Sequence, residues 1–266
     1  MKTRKTTRVS FSADPPTLDI RLPESWAELT QRELVDVCSI MSHLSEAKVR
    51  SAHFPLFRYF TGLKILSRDG DIFTCRIKAH DVRHNKIRRI ICKFSPVMLA
   101  ELLDPLDFVL EPGSVPVRPD SWHGARAVDA QFHGVTFGTY LQIENLYQGF
   151  ISSHNPAALV SLARLLYPGI KERHIDAPFI YAMLQWLVQV KGLFARMWHN
   201  FFKPATGESS APSMLDVMNN EIRALTGGDV SKEEVIFEID CWRALTELDF
   251  KARETEEMKR KLAKPT

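Results

Sequence analysis

Residues 176–202 read D-A-P-F-I-Y-A-M-L-Q-W-L-V-Q-V-K-G-L-F-A-R-M-W-H-N-F-F. Asp176 can cap a helix here, because its carboxylate can accept orphan amide protons of the first turn. Pro178 falls early enough to cost no intrahelical bond. Phe179, Met183, Leu187, Val190, Phe194, Met197 and Phe201 follow the three-and-four spacing of one helix face. Ile180, Leu184, Trp186, Val188, Leu193 and Trp198 widen that face until little polar surface remains. A helix apolar nearly all round must be covered, and the first candidate is its own protein. Gln185, Gln189, Lys191 and Arg196 interrupt the run, so no charge-free span of membrane length exists and no membrane partner is expected.

The chain has 266 residues, of which 45% are hydrophobic and 25% charged. That suits a globular protein of one large domain or two modest ones. The net charge of +3 is unevenly spread. Lys2, Arg4, Lys5 and Arg8 open the chain, a second basic stretch runs over 64–93, and Glu233, Glu234, Glu238, Asp240, Glu247 and Asp249 make the C-terminal part acidic. Cys38, Cys75, Cys92 and Cys241 are far apart with no CxxC pair, which suits a reducing compartment.

Working outward, four regions are expected: a flexible basic arm over 1–20, an α+β region over 21–130 with a small basic sheet, a helical core over 131–204, and a linker with C-terminal helices over 205–266. The predicted class is α+β, mainly α-helical, with a small antiparallel sheet in the N-terminal half and a helical bundle in the C-terminal half. Thr30 and Glu33 have capping-box spacing ahead of Leu34, Val37, Cys38 and Met41. A second helix is predicted over 45–60, kinked or divided at Pro55 and stopped by Gly62. Asp69-Gly70 between two apolar runs predicts a hairpin, and 86–94 predicts a third strand. Ser95-Pro96, Thr136 and Asn155-Pro156 each announce a helix. A linker is expected over 203–212, a helix over 214–225 ending at Gly227-Gly228, and a second capping box at Ser231 and Glu234 opening one long helix through Trp242, Leu245 and Leu248.

Chemistry is hard to find. Gly227-Gly228 is followed by no GKS or GKT, and there is no GxSxG and no HExxH. His80 and His84 have metal-ligand spacing for a helix but fall after a strand without a further ligand nearby. No catalytic residue, cofactor or metal is expected, and Glu221, Glu233 and Glu234 are placed on solvated helix turns. Two surfaces remain. Arg76, Lys78, Lys86, Arg88, Arg89 and Lys93 form a basic sheet surface that would attract phosphates or an acidic partner. Trp198, Phe201 and Phe202 read first as core residues of the apolar helix; because they border a loose linker, they would with Trp242 alternatively form a partner-binding surface beside two hinges.

Three blocks carry a resemblance. I-R-L-P-E-S-W-A-E-L-T-Q-R-E-L over 20–34 resembles proteins of tailed phages and prophages of Bacteroides-like bacteria. So does V-T-F-G-T-Y-L-Q-I-E-N-L-Y-Q-G-F over 135–150 with L-A-R-L-L-Y-P over 162–168. L-T-G-G-D-V-S-K-E-E-V-I-F-E-I-D-C-W-R-A-L-T-E-L-D over 225–249 is similar to the C-terminus of the same group. The resemblance implies a non-enzymatic tail or baseplate assembly protein, a chaperone or minor structural component acting through protein-protein contacts. Its partners would be other phage tail proteins, with homo-oligomerisation open, in the cytoplasm of the bacterial host or in the virion. The region 63–94 has no counterpart in the shorter assembly proteins of this kind. The alternative is a phage nucleic-acid-binding protein using the N-terminal arm and the basic sheet.

Overall fold

The computed structural model of the chain describes residues 7–8, 18–44, 51–81, 85–203 and 214–262. The chain divides into two units, Met1–Val117 and Arg118–Thr266. The division lies inside the proline-containing stretch 110–130. The fold is α+β and mainly helical, with the larger antiparallel sheet in the N-terminal unit and a helical bundle in the C-terminal one.

In the first unit, α1 (Gln31–Ser42) starts at a reciprocal cap. The Thr30 hydroxyl accepts the Glu33 amide at 3.3 Å, and the Glu33 carboxylate accepts the Thr30 amide at 2.9 Å. Its buried stripe is Leu34, Val37, Cys38 and Met41, as the spacing predicts. Helix α2 (His53–Thr61) stops at Gly62, which takes a left-handed φ of 61°. Residues 45–50 of the predicted helix lie outside the described residues. Pro55 occupies the first turn, where a missing N–H breaks no intrahelical bond, and the first such bond runs from Leu56 to Ala52 at 3.0 Å.

Strand β4 (Ile72–Asp81) is the hub of the sheet. Strand β5 (Lys86–Phe94) pairs along its whole length, β3 (Lys64–Asp69) pairs with its first half, and β2 (Leu18–Ile20) pairs with its last two residues. Strand β1 (Thr7–Arg8) adds to β2, so the segment expected as an arm contributes two short strands; the rest of 1–20 lies outside the described residues. The β3–β4 hairpin closes through Gly70, at φ 58°, and Asp71. Alternation along β4 buries Cys75, Ile77, Ala79 and Asp81 on one face and leaves the other wet. Helix α3 (Pro96–Leu103) is capped by Ser95, whose hydroxyl accepts the Met98 amide.

The second unit begins with a ribbon, β6 (Ser121–Trp122) and β7 (Ala125–Arg126). The loop around it is tied to the core by aromatic donors. Tyr167 donates to the Pro119 carbonyl at 2.9 Å, Trp186 to Ala130 at 2.7 Å and Trp242 to Gln131 at 2.6 Å. Helix α4 (Phe137–Ser153) starts at Thr136 and α5 (Pro156–Leu166) at Asn155. Gly138 allows α4 to approach the next-but-three helix closely, since a β-carbon there would sit 3.2 Å from Phe237.

Helix α6 (Ala177–Met197) runs through the centre of this unit. Asp176 accepts the Phe179 amide at 3.0 Å. From Phe179 to Phe194 no residue is exposed, so the protein itself covers this stretch of the helix. Phe132, Tyr140, Tyr167, Trp198 and Trp242 surround Trp186 and Phe194 in edge-on or tilted contacts at centroid distances between 4.8 and 6.1 Å. No described helix is long and apolar enough to cross a membrane.

Helix α7 (Met214–Thr226) ends at Gly227 and Gly228, both with positive φ. The single long helix expected from Ser231 is a correction. Asp229, not a Ser231–Glu234 box, caps a 3-10 turn; α8 (Glu233–Glu238) follows and breaks at Ile239–Asp240 before α9 (Cys241–Leu262). The break exists because this backbone pairs with residues 135–137. Phe137 donates to Ile239 at 2.8 Å, Cys241 donates to Val135 at 2.9 Å, and the Asp240 carboxylate accepts from Gly134 at 2.7 Å and Trp242 at 2.8 Å.

Candidate functional site

A groove of about 620 Å³ lies in the helical unit, bounded by α4, the end of α6, α7 and α9. That volume lies within the range of ligand sites, whose walls are mostly apolar with a few polar groups. Here Phe201, Phe202, Met214, Val217, Leu248 and Ala252 supply the apolar wall.

The end of α6 is folded back to make part of that wall. Trp198 leaves helical geometry at φ −119°, ψ 56°, and its carbonyl accepts the amides of both Phe201 and Phe202 at 3.1 Å. Asp249 on α9 accepts the amides of Asn200 and Phe201, fastening the turn. Phe201 and Phe202 meet edge-to-face at 4.8 Å and are half-buried at the groove.

The polar groups of the groove are arranged unequally. Glu144 on α4 is paired with Lys191 on α6 and also accepts the Gln148 side-chain amide at 2.9 Å. Glu221 on α7 has no such arrangement: its Oε2 is buried and meets no hydrogen-bond donor among the described residues. Burial above all, and then the charge of Glu144, pushes the Glu221 carboxyl up to about 7. Burial followed by the same two carboxylates raises the Tyr140 hydroxyl well above its ordinary value. A buried carboxyl of this kind either holds a proton near neutral pH or takes up a cation. Glu221 is therefore not on a solvated turn, in contrast to the expectation. The signal was present, because Glu221 falls in step with Met214, Val217 and Leu225 on the apolar stripe of α7.

No protein-family model, curated protein or solved structure matches this chain.

The four residues expected at a partner surface separate. Phe201 and Phe202 line the groove, whereas Trp198 is 4% exposed, donates to the Thr246 hydroxyl at 3.3 Å and packs edge-on against Trp242 at 5.1 Å. Trp242 is half-buried and stacks on His133 at 4.2 Å. Trp198 is thus a core residue. Of the two hinges, Gly227–Gly228 is a helix stop, and 204–212 lies outside the described residues.

In the first unit the strand register sorts the expected basic surface into two faces. Arg76, Lys78, Arg89 and Lys93 lie on the wet face, where Lys64 joins them opposite Arg76. Arg88 and Lys86 lie on the other face, and Arg88 is bound at 2.9 Å to the buried Asp81. The single surface expected to hold Arg88 beside Arg89 is corrected by the two-residue period of a strand. His80 lies within β4, with its ring between Arg21 and Asn85 at 3.0 and 2.9 Å; His84 lies outside the described residues. No cluster of three metal-ligating side chains occurs among the described residues.

Proposed function

We propose that the protein is a non-enzymatic binding protein whose helical unit holds an apolar segment of a partner chain in the Phe201–Phe202 groove. The partner segment carries a lysine or arginine that pairs with Glu221. The observation that carries this reading is the buried Oε2 of Glu221, without a hydrogen-bond partner among the described residues, in a groove whose other carboxylate, Glu144, is paired with Lys191, and where Lys203 and Lys251 also lie on the lining. A buried charge without a partner is costly, and an incoming cation that completes it is correspondingly selected. Half-buried phenylalanines at the mouth suit a partner side chain that covers them.

The resemblance of 20–34, of 135–150 with 162–168, and of 225–249 to tailed-phage proteins, and of the second of these blocks to helical tail or baseplate assembly proteins, supplies the setting. In that setting the partner is another phage tail protein, and the groove covers its apolar segment until that segment meets its final neighbour.

A photo-cross-linking residue in place of Phe202, in cells that also express the proteins of neighbouring genes, tests this directly. The expected product joins this chain to a tail or baseplate protein through a segment containing lysine or arginine. Products with a second copy of this chain alone would replace assembly by self-association, and the absence of any product would remove the groove as a docking site.

A further inference from the structure

We propose that the wet face of the N-terminal sheet holds a phosphate group in a pocket formed by Lys64, Arg76, Lys78 and Arg89. The register makes two cross-strand pairs of like charge, Lys64 opposite Arg76 and Lys78 opposite Arg89. Directly opposed like charges destabilise a sheet, and here two such pairs sit one strand period apart. The four side chains line a concavity of about 240 Å³ whose other walls are Gly62 and Ile77. Among the described residues, none of the four takes part in an ion pair or a side-chain hydrogen bond. Other arginines of the same sheet are paired, Arg68 with Asp71 at 3.8 Å and Arg88, on the opposite face, with Asp81. An anion between the two pairs would turn mutual repulsion into four charge-assisted contacts.

Gly62 takes part in shaping the pocket. A β-carbon there would come within 3.3 Å of the Lys78 stem, so the glycine both ends α2 and leaves room for the lysine. The volume is below that of sites that enclose a whole small molecule, which points to a phosphate held alone while the remainder of its molecule lies outside. The neighbouring surface is open, with Lys93 further along β5 and Ile87 and Ile91 exposed at 74% and 67%. A free phosphate and the backbone of a nucleic acid share this chemistry.

The test is nuclear magnetic resonance titration of the full chain with two probes, inorganic phosphate and a single-stranded thymidine oligonucleotide, each at two salt concentrations. Amide shifts are expected at 62–64, 76–78 and 89. Replacing Lys78→Glu and Arg89→Glu together should weaken both probes by roughly tenfold or more, as loss of hydrogen bonds to a charged group does. Lys78→Gln with Arg89→Gln gives the same reading without charge reversal, and Lys261→Glu, on the C-terminal helix of the other unit, should leave binding unchanged. Tighter, salt-dependent binding of the oligonucleotide assigns the phosphate to a nucleic-acid backbone; equal or weaker binding assigns it to a free phosphate. Shifts scattered over other lysines, or variants that bind both probes like the parent chain, would overturn the site.

Discussion

Asp249 holds Asn200 twice: its carboxylate accepts the Asn200 backbone amide at 2.8 Å and the Asn200 side-chain amide at 3.0 Å. The same carboxylate accepts the Phe201 amide, so α9 fixes the turn that presents Phe201 and Phe202 to the groove. Burial would raise this carboxyl, but the bonds from Asn200 and Phe201 outweigh it and hold it below the usual aspartate range. A carboxyl lowered on folding stabilises the protein above its unfolded value and loses that contribution as pH falls through its folded value. We expect Asp249→Ala to lower stability by about 1 to 3 kcal/mol at pH 7 and by less at pH 3. Urea denaturation at both values checks this; an equal loss at pH 3 would show that the carboxylate's hydrogen bonds are not the cause.

Glu221 has the opposite sign. Its folded value, about 7, lies above the ordinary 4.5, so the folded chain binds the extra proton between them and stability falls as pH rises through that window. Glu221→Gln removes the ionisation. Relative to the parent, the variant is expected to gain up to about 3 kcal/mol between pH 4.5 and pH 8. Denaturation curves of the two proteins that stay parallel over this range would place Glu221 in water.

Leu187 is 2% exposed in the middle of α6. Leu187→Ala is expected to cost roughly 2 to 5 kcal/mol, the transfer term of the lost atoms plus the cavity they leave. A loss below about half a kcal/mol in guanidinium denaturation would mean that the site collapses or was never packed.

The aromatic residues at the end of α6 should behave as two classes. Trp198→Ser removes a buried ring and is expected to cost about 3 to 5 kcal/mol, seen as a lowered midpoint in thermal circular dichroism. Phe202→Ser, on the groove wall, should leave the protein folded with a loss nearer 1 kcal/mol. Equal losses would return both residues to one environment.

Elements whose signals are local were legible in the sequence. The capping box at Thr30, the Asp176 cap, the Gly62 stop and the apolar stripe of α6 each depend on residues a few positions apart. The hairpin at Gly70 follows the same logic. What distant residues decide was not legible. Helices α8 and α9 separate because Ile239 and Cys241 pair with residues about a hundred positions earlier, while the residues of 233–248 taken alone read as one continuous helix. Trp198 reads both as the end of the apolar face of α6 and, beside a linker, as surface, and the contact with Trp242 of α9 that helps cover it depends on a residue 44 positions later. The burial of Glu221 follows from its place on the apolar stripe of α7, whereas its nearness to Glu144 depends on α4 packing against α7. Arg88 and Arg89 form the exception. Their opposite faces follow from strand period alone, and the imperfect alternation of 86–94 concealed it.

The most direct measurement is co-purification from cells expressing the chain with the tail and baseplate proteins of neighbouring genes, comparing the parent with Phe201→Ser/Phe202→Ser and with Glu221→Lys. The variants are first shown by circular dichroism to be folded. If the groove holds a basic, apolar segment of a tail protein, the parent retains that protein and both variants lose it, Glu221→Lys by placing a like charge where the partner's cation sits. A folded Glu221→Lys variant that retains its tail protein as well as the parent does would contradict the assignment.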